Sequence, residues 1–338
     1  MIRFTIVHFF HTQMIIKRNL SPVKIVRYVG TEMLVSVALS VVVFALYKGG
    51  ILVLSLPFSL SAILGSALAI FIGFRNNTAY SRWWEARTLW ANIANSSRIF
   101  ARQIIANADN AVATGKVSEE KAQRFKQELL YRQIAFAHAL RLHLRQESIT
   151  IRALKHHAQN TATAEDFRHL LSNEEFAWAT SKENTPNMLL HKQGLRVKEG
   201  MKEEILGAFD NISLEPTLAT FNSLQGSCER IKQTPLLRQY DYFTRLFLIV
   251  FMLLLPFTLI GDFIKIGIDV LMMPVSIIIA FVFNTIAKVG AANEDPFENL
   301  ITDVPLTAIC NAIERDLKEM LGESELPPKV EPEHGYLM

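Results

Sequence analysis

Hydrophobic residues in this chain are gathered into long uncharged runs. The clearest run, residues 51–74, has no charged side chain over about 24 positions, enough for a helix to cross a hydrocarbon core of roughly 30 Å. Residues 246–261 and 270–287 form a second pair of runs, joined by a short polar link, and this pattern predicts a helical hairpin. Residues 33–47, interrupted only by two serines, form a fourth run. The pattern therefore predicts an all-α membrane protein with about four transmembrane helices.

The polar stretches between these runs complete the predicted organisation. Between the two membrane pairs, apolar residues recur at three- and four-residue spacing with little strand-like alternation, which predicts a helical cytosolic domain. A soluble protein with deeply buried helices is the alternative, and four long runs in two pairs disfavour it. The predicted parts are an N-terminal cytosolic segment (1–28), a first transmembrane pair (29–74), the helical cytosolic domain (75–240), a second transmembrane pair (241–288), a C-terminal cytosolic segment (289–322) and a disordered tail (323–338).

Local signals predict several helix boundaries in the polar stretches. Ser118 is placed to cap a helix over residues 116–146, and the asparagine and proline at 184–187 predict a break before the next helix. A helix over residues 201–209 is expected to give way near Pro216. A final helix is expected over residues 306–321.

Positive charges predict the orientation, because Lys and Arg are retained on the cytoplasmic side. Arg18, Lys24 and Arg27 precede the first span, whereas the link to the second span carries only Lys48. An even number of crossings then places both termini in the cytoplasm, and the expected location is the inner membrane of the cell.

Several functional classes lack support in the residues. The chain has no Gly-rich phosphate loop, no H-E-x-x-H and no G-x-S-x-G, so the common enzyme mechanisms with local motifs are not indicated. Its two cysteines do not form a C-x-x-C pair. A net charge of +3 is too small to suggest nucleic-acid binding. We therefore expect neither an enzyme nor a nucleic-acid-binding protein.

The second span carries two stripes at four-residue spacing. Gly65, Ala69 and Gly73 form a small-residue stripe that lets helices approach closely in lipid. Ser66, Ile70 and Phe74 repeat at the same spacing beside it. If several copies surround an axis, one stripe packs against neighbours and the other faces a lumen. Ordinary helix packing explains the same periodicity.

Three sequence blocks carry a resemblance to a known family. The first, GFRNNTAYSRWWEAR at residues 73–87, resembles the signature of the bestrophin ion channels, and it is closest to the bacterial branch. The second is CERIKQTP at 228–235, just ahead of the third span, and the third is EDPF at 294–297, followed by DVPL at 303–306. The signature residues are Arg82, Trp83, Trp84, Glu85 and Arg87. We expect structural roles for the tryptophans and arginines among them, as interfacial anchors or ion-pair partners.

The resemblance implies a homopentamer that conducts ions passively through one central pore. The family's hydrophobic neck maps onto Ser66, Ile70 and Phe74, here called the neck; Ser66 departs from the bulky apolar residue usual there, so the outer ring is expected to be wider or wetter. A second constriction, in the cytosolic part, maps onto Ile212 when counted without gaps. The expected partners are copies of the same chain, membrane lipid and monovalent ions.

Calcium is the one metal that the resemblance raises. Animal members bind it through an acidic cluster after the fourth span, and oxygen ligands suit this hard cation. The corresponding acids here are Glu294, Asp295, Glu298 and Asp303. The cluster is sparser than in the animal proteins, and the acids could equally cap helices or pair with arginines. No cofactor is expected to be required.

The permeant ion is left open between chloride and cations. The uncharged neck excludes neither sign, so selectivity must come from the pore mouths and from dehydration. Asp295 and Asp303 would favour cations if they faced the lumen. Two other functions are a secondary transporter and a membrane-anchored sensor, but four spans are few and lack the midplane charges typical of transporters.

Overall fold

The computed structural model describes residues 14–15, 22–51, 55–146, 163–299, 302–331 and 336–337. Most of the predicted segment 1–28, the polar residues 147–162 and residues 332–335 of the predicted tail lie outside this description. The chain divides into two compact units. The membrane unit comprises Lys17–Trp83 and Pro235–Asp295, and the extramembrane unit comprises Met1–Ile16, Trp84–Thr234 and Pro296–Met338.

Helices make up most of the described chain, which confirms the predicted all-α class. The helices are α1 (Pro22–Lys48), α2 (Phe58–Ala113), α3 (Glu119–Arg145), α4 (Asn173–Thr180), α5 (Thr185–Lys202), α6 (Asn211–Gln233), α7 (Arg238–Lys265), α8 (Met272–Ala292) and α9 (Leu306–Met320). Two short 3-10 helices, Ala164–Leu170 and Asp269–Leu271, join them. One antiparallel pair of two-residue strands, β1 (Met14–Ile15) and β2 (Tyr336–Leu337), pairs Met14 with Leu337.

Four helical segments are long and apolar enough to cross a membrane, which confirms the predicted number of spans. They are Tyr28–Lys48, Phe58–Ala113, Asn211–Lys265 and Asp269–Ala292. The second is itself one continuous helix of 56 residues, and the boundary between the two units falls within it, after Trp83. The chain is thus an integral membrane protein.

The membrane unit is held by an apolar core and by hydroxyl pairs between helices. Leu68 and Ile72 of α2 and Phe251 and Leu255 of α7 belong to one buried cluster. Within lipid, where burial of apolar groups gives little gain, close packing and interhelical hydrogen bonds hold helices together. Such bonds join Ser61 of α2 to Thr258 of α7, and Ser40 of α1 to Ser276 of α8 at 3.1 Å.

The extramembrane unit is built around α3. The Ser118 side chain accepts a hydrogen bond from the Lys121 backbone N–H, so the predicted cap is confirmed. On the buried side of α3, the Leu129 carbonyl accepts a bond of 2.7 Å from Gln193 of α5. The ring of Phe221 on α6 meets Phe136 of α3 edge to face, with centroids 5.7 Å apart.

The boundary predicted near Pro216 is wrong. Helix α5 ends at Lys202, and α6 begins at Asn211 and continues through Pro216 to Gln233. Proline lacks a backbone N–H, so it costs α6 the bond to the carbonyl four residues earlier. Pro216 lies in the second turn, and the helix continues past it because its later turns bury Leu218, Phe221 and Cys228. By contrast, the break at 184–187 and the last helix are confirmed, as α5 begins at Thr185 with Asn184 as its cap and α9 covers Leu306–Met320.

Candidate functional site

The neck residues share one exposed face of α2. Ile70 is 62% exposed and Phe74 is 69% exposed, and Ser66 is exposed above them. At 1.5 Å of rise per residue, four-residue steps place the three side chains about 6 Å apart along the helix. The Ser66 hydroxyl donates to the Ala62 carbonyl at 2.7 Å, leaving its oxygen lone pairs to accept hydrogen bonds from water. The neck is thus an exposed row with one polar and two bulky apolar members.

The opposite face of α2 is packed tightly inside the membrane unit. Leu68, Ile72 and Ala79 are buried along it. A Cβ added to Gly65 would lie 3.2 Å from a ring carbon of Phe251, so this glycine permits close approach of α7. Ala69 and Gly73, the other members of the small-residue stripe, are exposed. The face around the neck is therefore exposed within the described part of the chain.

The chemistry of this exposed face differs from that of an exposed face in α1. The outward residues of α1 include Leu34, Val35, Val41 and Val42, the bulky aliphatic side chains typical of a lipid-facing surface. Beside Ile70 and Phe74, α2 exposes the aliphatic Ile63 together with Ser66, Gly73 and Asn77. Small and polar residues suit close helix contacts or a wetted lumen better than acyl chains.

A buried ion network begins at the residue that follows the neck, and sequence reasoning missed it. Arg75 is only 3% exposed and donates to Asp241 of α7 at 2.5 Å and to Glu294 at 2.8 Å. Burial raises the pKa of Glu294 and Arg75 opposes that rise. A cation directly after a span normally predicts a snorkelling anchor, so no local pattern reveals this network.

The family-signature residues are divided between the two units. In the membrane unit, the half-buried Arg82 donates from Nε to the Glu294 carbonyl at 3.0 Å, and Trp83 stacks on Tyr80. In the extramembrane unit, Trp84 is exposed, and Glu85 pairs with Arg230 at 2.5 Å. Arg87 is half-buried. Arg82, Trp83 and Glu85 thus have contacts with other protein groups, and the structural roles expected for the tryptophans and arginines stay a prediction.

The four acids proposed for calcium have protein partners. In the membrane unit, Glu294 binds Arg75 and Asp295 binds Arg238 at 3.0 Å. In the extramembrane unit, Glu298 pairs with Lys232 at 2.7 Å, and Asp303 accepts backbone N–H bonds from residues 297, 299 and 304. Among the residues that the structure describes, no three His, Cys, Asp or Glu side chains form a group that could hold a metal ion.

Ile212, the predicted cytosolic constriction, is 70% exposed near the start of α6. Phe209, in the turn before that helix, is also exposed. A bulky apolar pair left exposed in a single extramembrane unit suits a surface covered by another copy or one that narrows a passage. The assignment of Ile212 stays a prediction.

Comparisons with known proteins agree on one family. Residues 13–319 match the family model of the bacterial and fungal bestrophin proteins. The chain is 32% identical over 284 residues to the voltage-dependent anion channel-forming protein YneE of Escherichia coli K12, covering 83% of this chain and 81% of the relative. It is 27% identical to the voltage-dependent anion channel-forming protein alr2987 of Nostoc, with 80% of each chain covered. The crystal structure of a bacterial bestrophin homologue from Klebsiella pneumoniae superposes with a TM-score of 0.73 at 26% identity, over 88% of this chain and all of the other.

Proposed function

Because the chain belongs to the bacterial and fungal bestrophin family, whose members are ion channels, we propose that it is a passive, anion-selective channel. Family membership decides against an enzyme, a secondary transporter and a membrane-anchored sensor. The observation that carries the proposal is the exposed row of Ser66, Ile70 and Phe74 on a span whose opposite face is packed. In the proposed assembly, five copies of α2 surround the axis and this row lines the neck.

Two observations support selectivity for anions: the relatives are named as anion channel-forming proteins, and Asp295 and Asp303 are bonded to protein groups. The suggested cation preference required Asp295 and Asp303 to face the lumen. Asp295 is paired with Arg238, and Asp303 is buried with its oxygens on backbone N–H groups, so that suggestion loses its support. An uncharged neck then admits monovalent ions according to the cost of stripping their water.

The same proposal places the chain in the inner membrane with both termini in the cytoplasm. Arg18, Lys24 and Arg27 before the first span support this orientation. We propose that conduction needs no cofactor, since the four acids considered as possible calcium ligands are bonded to protein groups. Currents recorded with calcium and with a calcium chelator should therefore be equal.

The test is the reversal potential of the purified protein in a planar bilayer. In an about tenfold sodium chloride gradient, an ideally anion-selective pore reverses at the chloride equilibrium potential, about 59 mV from zero. We expect reversal close to that value and a larger conductance for Ile70→Ala and Phe74→Ala. Val41→Ala, which shortens an exposed side chain on α1, is the matched control and should conduct like the wild type. Reversal at the sodium equilibrium potential would overturn the proposed anion selectivity, and a complete lack of current would overturn the proposal that the chain forms a channel.

The number of subunits has its own measurement. Native mass spectrometry from detergent should give an assembly of five chains of 38.3 kDa. A monomer or dimer would contradict a pore formed around a central axis.

A further inference from the structure

The side chain of Arg75, which follows the neck, points away from it and into the membrane unit. Successive residues of a helix are rotated by about 100°, so when Phe74 is exposed Arg75 turns into the membrane unit. There its guanidinium reaches two other spans. It donates to Asp241 at the start of α7, to Glu294 just after α8, and to the Ala287 carbonyl within α8 at 3.5 Å.

A second contact fixes the same turn of α2. The Asn76 side chain donates to the Ile286 carbonyl of α8 at 2.9 Å. Its amide oxygen fills the place where a side chain at Gly290 would begin, since a Cβ there would lie 1.7 Å from that oxygen. Two consecutive residues after Phe74 are thus bonded to α8.

These contacts restrain rotation as well as separation. Both carboxylates accept from Nη2 of Arg75 and the Ala287 carbonyl accepts from Nη1, so both terminal nitrogens of the rigid, planar guanidinium are bonded and its plane is fixed. Losing one partner of a buried ion pair leaves the others uncompensated, so α2 cannot turn about its axis without a large penalty. Phe74 itself has no comparable restraint, being mostly exposed.

We propose that Arg75 is a positioning residue for the neck: its bonds to Asp241 and Glu294 set the rotation of α2 and thereby aim Phe74 at the lumen. The inference rests on the proposed function, because it takes the exposed row of α2 as the pore lining. Arg75 does not touch the permeating ion. It acts through Phe74, whose side chain it turns towards the axis, so that the Phe74 side chains of the five copies form a narrow ring.

The decisive variant is Arg75→Lys, which keeps the charge and removes the fork. A lysine keeps one donor nitrogen for the two carboxylates but loses the planar group and the Nη1 bond to the Ala287 carbonyl, so Phe74 should retreat from the axis and single-channel conductance should rise about threefold, within the usual coupling range of contacting residues. In a Phe74→Ala background the same change should alter conductance by less than about 1.5-fold, because the side chain that Arg75 aims is gone.

Two further variants test whether the change in conductance comes from the position of Phe74 rather than from an altered charge or from misfolding. Arg245→Gln removes an exposed charge beside the same Asp241 and should leave conductance unchanged. Gly290→Ala keeps every charge but drives Asn76 out of its place, so it should raise conductance as Arg75→Lys does. It also serves as the test if Arg75→Lys fails to assemble.

Each outcome decides the matter. Wild-type conductance in both Arg75→Lys and Gly290→Ala overturns the proposal, and so does an effect of equal size with and without Phe74. A wild-type protein that carries no current overturns the proposed function and this inference with it. Wild-type currents combined with unaltered variants overturn the inference alone.

Discussion

Two glycines on α5 should respond to alanine with opposite signs. A Cβ on the buried Gly200 would lie 2.5 and 2.6 Å from ring carbons of Phe125 and 3.3 Å from a methyl of Leu206. A Cβ on Gly194 would meet only a methyl of Leu218, at 4.0 Å. The two positions share a helix and differ mainly in the space beside them.

The magnitudes follow from two competing effects. Alanine in place of glycine favours a helix by about 1 kcal/mol. Overpacking costs about 1–3 kcal/mol, and the upper end applies at Gly200 because Phe125 is fully buried and its ring lies about 1 Å inside normal contact. Gly200→Ala should therefore lose about 2 kcal/mol net, whereas Gly194→Ala should gain about 0.5–1 kcal/mol.

Thermal unfolding of the purified protein, followed by far-UV circular dichroism at one scan rate, measures both. At about 2–4 °C per kcal/mol for a large domain, Gly200→Ala should lower the midpoint by about 4–8 °C, and Gly194→Ala should raise it by about 1–4 °C. Restoring space with Gly200→Ala plus Phe125→Leu should recover part of the loss. Midpoints that move in the same direction for the two single variants would refute the packing argument.

Three other predictions concern conductance through the passage and the loss of stability at acid pH. Ser66→Leu should lower conductance, because a third apolar ring makes the neck harder to wet, and a conductance equal to wild type would remove Ser66 from the lining. Ile212→Ala should raise conductance if that side chain narrows the passage, and an unchanged single-channel current would reject the assignment. Burial alone would raise the pKa of Glu314, but hydrogen bonds from His138 and Lys318 hold it at about 2. The stabilisation, at most about 3 kcal/mol, is present above the ordinary pKa of 4.5 and lost towards pH 2, so the unfolding midpoint of wild type should fall more steeply over that range than that of Glu314→Gln.

The features that the sequence predicted well are those written in contiguous residues. An uncharged run of membrane length predicts a span, and a serine ahead of two glutamates predicts the start of a helix. In both cases the free energy depends on neighbouring residues alone, so the spans and the start of α3 could be predicted directly. Pro216 was misleading because its local cost is outweighed by the core that later turns of α6 bury. The neck was predicted from four-residue spacing and the family resemblance, and its three residues do share an exposed face.

The part that could not be predicted is the pairing of charges distant in the chain. Arg75 is separated by 166 residues from Asp241 and by 219 from Glu294, and each of these acids, taken alone, resembles an ordinary residue at a membrane boundary. Spacing patterns report which residues share a helix face, but they carry no information on which helix lies opposite. The proposed role of Arg75 links the exposed and the buried face of α2: bonds on the buried side would hold the helix in the rotation that leaves Ile70 and Phe74 exposed. If the variants confirm that role, the polar residues directly following an uncharged row on a span are where such a restraint should be sought in related channels.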